Sequence, residues 1–162
     1  MRIWRAVVRA AVLLTATVCL AGDVDNVTAK LFTPEMAERV LGGAVEPAAQ
    51  NTTADMHNGG NVVSRAGYNL KGGGSAAPRV GILLRRSATA EETKTAFLNS
   101  KEMYHGVDVA GFGDAAYRID KPAQFNVLKG RDWIVITAGV FPAPDPALQE
   151  KTARELLAAL KN

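Results

Sequence analysis

Gly111-Phe112-Gly113-Asp114-Ala115-Ala116 has the G-x-G-x-x-A spacing of a dinucleotide-binding turn. In such a turn the glycines let backbone approach a pyrophosphate, and a helix opening directly behind it offers N–H groups at its positive end. Two histidines could do acid–base or metal chemistry. His57 stands in Asp55-Met56-His57-Asn58-Gly59-Gly60, where Asp55 and Asn58 could supply further ligands. His105 follows Tyr104 and precedes Asp108, an acid–base pairing in outline. Arg85-Arg86 could grip an anion, and Tyr117 adds a phenol. Arg85, Arg86, His105 and Tyr117 are therefore the side chains a ligand would be expected to touch. Each also has an ordinary role, as a charged strand end, a solvated loop residue or a packing aromatic.

The surroundings of these residues decide how much chemistry survives. The stretch after Gly113, Ala115-Ala116-Tyr117-Arg118-Ile119-Asp120, alternates as a strand does, and Pro122 blocks a helix. A phosphate cradle needs that helix, so no nucleotide cofactor is expected. Gly111, Gly113 and Asp114 are read as a structural turn, with Phe112 pointing inward and Asp114 bonding nearby backbone N–H groups. A zinc site needs three or four ligands, and no distant partner for His57 is identifiable. The sequence has no G-x-S-x-G, S-x-x-K or H-E-x-x-H pattern. No catalytic, cofactor-binding or metal-ligating set is assembled on this reading.

The first 21 residues differ from the rest. Arg2, Arg5 and Arg9 precede an uncharged apolar run from Ala10 to Leu20, too short for a comfortable membrane span. Cys19 and Ala21 suit a signal-peptidase site, which places cleavage after Ala21 and a mature domain over 22–162. The alternatives are an uncleaved anchor or a lipid on Cys19, although Ala16 and Val18 fit a lipobox poorly. A membrane association is expected only by one of those two routes. The chain has 19 basic and 16 acidic residues, and the leader holds three of the basic ones, so the mature chain is formally neutral. Without a basic patch, nucleic acid is not expected as a partner. The one cysteine lies in the leader, so the mature domain must rest on its hydrophobic core rather than on disulfides.

The elements that would position these residues can be read in order. Thr33-Pro34-Glu35 opens a helix that Gly42-Gly43 ends, with Met36, Val40 and Leu41 as its stripe. Residues 22–32 read as a polar lead-in and 44–60 as a loop without periodicity. Residues 61–70 and 79–86 read as strands that pair across a glycine-rich connection. Thr89 and Glu92 have capping-box spacing, predicting a helix to about 103 with Ala96, Phe97 and Met103 inward. Three strands follow, 115–119, 124–129 and 133–140, joined by short turns as in a meander. The last strand is apolar on both faces, which predicts a sheet covered on both sides at least locally. Asp145-Pro146 opens a closing helix whose leucines recur every four residues. The order α-β-β-α-β-β-β-α predicts an α+β fold: an antiparallel sheet of about five strands with three helices.

Val109-Ala110-Gly111-Phe112-Gly113-Asp114-Ala115-Ala116 resembles the V-x-G-[LF]-G-D-x-A segment of a family of small exported bacterial proteins. Many of these are actinobacterial lipoproteins of unknown function. The resemblance includes Leu31 to Gly42, Phe125 to Thr137 and the final Ala/Leu-rich helix. Family members often carry a cysteine in the first strand where this chain has Ala66-Gly67-Tyr68, so a disulfide is not carried over, and neither is the lipid. The resemblance implies an extracytoplasmic α+β module, suspected of sensing or binding, with no catalytic residues to transfer. The expected function is thus an exported, non-catalytic binding or sensing module of the cell envelope, its partner an unidentified envelope protein or small ligand. The rival expectations are a secreted hydrolase with a histidine-based site and an accessory subunit that docks onto an envelope protein.

Overall fold

The structure, a computed structural model, describes residues 26–48, 53–140 and 142–160. The leader expected over residues 1–21, with Cys19, lies outside the described residues. The chain forms α1 (Val27–Leu31), α2 (Pro34–Leu41), β1 (Val45–Pro47), β2 (Thr53–Asn58), β3 (Asn61–Leu70) and β4 (Arg79–Arg86). It continues through α3 (Ala90–Met103), β5 (Val107–Asp108), β6 (Ala115–Ile119), β7 (Gln124–Lys129), β8 (Asp132–Val140), β9 (Ala143–Pro144) and α4 (Pro146–Ala159). All strands join one antiparallel sheet in the order β1-β3-β4-β8-β7-β6-β5. β2 shares the outer edge of β3 with β1, and β9 extends the β7 side of β8.

This is the expected α+β architecture, and the five expected strands are its longest ones except β2. The described residues hold nine strands and four α-helices, more than the expected five and three. Two of the additions, β1 and β2, share a cause. β3 is long, and its outer edge accepts β1 and β2 from the region read as a loop. Edge strands are held by backbone hydrogen bonds, so their exposed side chains need no alternation. Met56, His57 and Asn58 are exposed, and Pro47 sits where an edge strand tolerates it. Gly59 and Gly60 both take positive φ and close a two-residue hairpin between β2 and β3.

Helix α1, within the expected polar lead-in, has five residues, too few to persist alone. Its first N–H groups find distant acceptors: Val27 donates to Asp55 Oδ2 at 2.9 Å and Thr28 to Ser64 Oγ at 2.9 Å. Asn26 caps it by accepting from Ala29 and donates from Nδ2 to Arg65 O. The other three helices carry the caps their sequences imply. Thr33, Thr89 and Asp145 accept at the N-termini, and both bonds of the Thr89–Glu92 capping box are present.

The sheet separates two cores. On one face Val80, Ile82, Leu84, Phe125, Val127, Ile134 and Ile136 meet Phe32, which follows α1, and Ala37, Val40, Ala153 and Leu156 from α2 and α4. Lys151 of α4 donates to the carbonyls of Arg39 and Val40, capping the C-terminal end of α2, and Arg39 pairs with Glu155 at 2.8 Å. On the other face Phe97 of α3 packs on Tyr117, Ile119, Leu128, Trp133 and Val135. The expected inward set of α3 needs correction: Ala96 is exposed and Met103 is 70% exposed, while Thr93 and Phe97 are the buried pair. Thr93 is drawn in because its hydroxyl donates to Thr89 O and Arg131 O, linking the helix to the β7–β8 turn.

Candidate functional site

The glycine-rich segment is a turn welded to the neighbouring hairpin. Gly111 and Gly113 take φ of 88° and 57°. A Cβ on Gly113 would stand 2.3 Å from Leu128 O, so the backbones touch there. Asp114 N donates to Leu128 O at 2.8 Å, which leaves that N–H committed rather than offered to a phosphate. The Asp114 carboxylate accepts from Gly130 N at 2.6 Å and from Lys129 Nζ at 2.8 Å. The Gly130 bond, then the lysine, hold the Asp114 pKa below the ordinary carboxylate range. Phe112 is buried edge-on against Phe125, and β6 follows.

The other candidate residues do not meet in one place. Arg85 and Arg86 project to opposite faces of β4. Arg86 makes a two-point ion pair with Asp132 at 2.6 and 2.9 Å, which raises its pKa, and Arg85 stacks over Trp133 at 4.9 Å. Tyr117 is fully buried between Phe97, 4.6 Å away, and Gly106, where a Cβ would lie 2.5 Å from the tyrosine ring. Burial raises its phenol pKa, with Ser100 opposing. His105 lies exposed behind α3 at a φ of 51°, while Asp108 is taken by Lys101 at 2.6 Å. His57 is exposed on edge strand β2, and Asp55 turns instead toward the start of α1. Among the described residues no three His, Cys, Asp or Glu side chains are placed to hold a metal ion.

A different surface does form a concavity. α3 covers only part of the second sheet face. Beyond it, β3, β4 and β8 present Arg65, Gly67, Arg79, Gly81, Thr137 and Gly139 on that same face, as their register requires. A cavity of about 200 Å³ is lined by Arg65, Gln124 and Thr137, with Leu83 and Val135 against it. A second, of about 350 Å³, is lined by Arg79, Ala123 and the β8–β9 hairpin, including Val140, Ala143 and Pro144. Gly81 and Thr137 border both, so the two form one trough. Thr137 Oγ1 donates to Gly81 O at 3.3 Å across its floor. Among the described residues no acidic side chain lines either cavity, and neither histidine does.

None of these lining residues stood out in the sequence. The available signal was glycine inside two strands: Gly67 and Gly81 pair directly in register. Interior strand glycines mark places where something approaches the backbone closely. Thr137, a lone hydroxyl in the apolar run from Trp133 to Val140, was the second signal.

Compared with models of known families, with curated proteins and with solved structures, the chain matches none. Among the described residues no helix is long and apolar enough to cross a membrane.

Proposed function

We propose that this chain is an exported, non-catalytic binding or sensing module of the bacterial envelope, and that the trough beside α3 is where it takes a small ligand. The observation that carries the reading is the half-covered sheet face: a solvent-open concavity with a few convergent polar groups and an apolar backing, set on rigid strands. The residues with acid–base potential, His57 and His105, stand elsewhere and without assembled partners. Export is supported by the leader over residues 1–21 and by the family resemblance of the segment 109–116.

The test is native mass spectrometry and extract binding on the protein recovered from a bacterial envelope fraction. A low-molecular-mass component that binds and moves the NMR signals of Gly81, Thr137 and Gly139 is the expected result. Turnover of a hydrolase substrate panel, abolished in His105→Ala, would overturn it in favour of an enzyme. The accessory-subunit reading draws on one observation, the exposed Met103, Tyr104 and Val107 at the β5 edge, Val107 being 68% exposed. It predicts that signals of Val107 and Met103, rather than those of the trough, respond to the partner.

A further inference from the structure

We infer that the trough selects a small organic carboxylate, its charged head held by Arg65 in the smaller cavity and its body laid across Gly81 toward the β8–β9 hairpin. This rests on the binding reading above and gives it a ligand class. The sign of the charge is the first argument. The smaller cavity has one arginine, Arg65, and no acid among its described lining residues, so an anion gains there and a cation loses.

The state of Arg65 is the second argument. Arg39, Arg86 and Arg118 each have a carboxylate partner within the fold, Glu155, Asp132 and Glu150. Arg65 has no ion-pair partner among the described residues, and the bond from Asn26 reaches its backbone carbonyl rather than its guanidinium. Its planar fork of donors matches the two oxygens of a carboxylate, and Leu83 and Val135 give the same cavity an apolar wall. Gln124 and Thr137 add polar groups at the same cavity. A single cation in this cavity fits a singly charged head rather than a polyphosphate. The third argument is the floor. With no side chain at Gly81, a ligand can reach the strand backbone that a larger residue would screen.

The experiment uses the exported protein made from the full chain, titrated by NMR at constant ionic strength. The probes are succinate, the peptide N-acetyl-Ala-Asp-Ala amide, and succinamide as the uncharged match to succinate. The expected result is a response of Gly81, Thr137 and Gly139 to a carboxylate probe, weakened about tenfold or more in Arg65→Gln and less in Arg65→Lys. Lys94→Gln, an exposed change on α3, should leave the affinity as it is. A stronger response to succinate supports the small free acid, and a stronger response to the peptide, which stands for a carboxylate carried by a partner chain, overturns it. Equal binding of succinamide, or unchanged affinity in Arg65→Gln, overturns the inference. Trough signals that answer a neutral envelope component and no carboxylate overturn it while the binding reading stands. Turnover lost in His105→Ala overturns the binding reading itself.

Discussion

Asp114 fastens the turn before β6 to the turn between β7 and β8, through Gly130 N and Lys129 Nζ. Its lowered pKa ties that fastening to pH. A carboxyl whose folded pKa lies below its unfolded value adds stability that is complete above the unfolded value. That stability disappears as the pH falls through the folded value. Asp114→Asn should therefore destabilise the protein modestly, by about 1 kcal/mol or less because the side chain is 46% exposed. In urea titrations the gap between the two proteins should stay constant from neutrality to about pH 5 and close at more acid pH. The adjoining glycines separate two effects. Gly111→Ala meets only the cost of positive φ, about 1–2 kcal/mol, since nothing lies within 4 Å of its Cβ position. Gly113→Ala adds a clash with Leu128 O and should lose at least about 1–2 kcal/mol more by the same measurement. The need for glycine here was legible in the sequence. The partner carbonyl was not, because it comes from fifteen residues away.

At the scale of elements, α3 shows how little apolar contact holds the second core. Phe97 is its one large buried side chain, set edge-on to both Tyr117 and Trp133. Phe97→Ala should cost about 3–5 kcal/mol in chemical denaturation, whereas Met103→Gln should stay within about 0.5 kcal/mol. The helix itself was readable from its capping box. Its inward face was not, since Ala96, Phe97 and Met103 give a weak stripe, and Thr93 is buried through hydrogen bonds that no apolar pattern records. β1, β2 and α1 were hidden for a related reason. They exist because β3 has an open edge and because Asp55 and Ser64 accept from α1, conditions that arise only once the sheet has formed.

For the whole molecule, the described helices leave part of one sheet face uncovered, and this asymmetry makes the trough. Export is open to a direct check. When the full chain is produced in a bacterial host, the intact mass of the envelope protein should correspond to a chain beginning at Gly22. A full-length mass there would mean that the leader stays on as an anchor, and a mass including acylated Cys19 would mean a lipoprotein.

The sequence by itself determined the α+β class, the five principal strands, three capped helices, and that the glycine turn precedes a strand and not a helix. These follow from periodicity, caps and turn residues, which act between near neighbours along the chain. Only the tertiary structure decided which part of the sheet the described helices leave uncovered and that Arg65 has no carboxylate partner among the described residues. It also brought Gly67, Gly81 and Thr137 side by side. Those facts depend on strand register and helix placement, where hydrophobic burial of one set of residues leaves another set exposed by geometry alone.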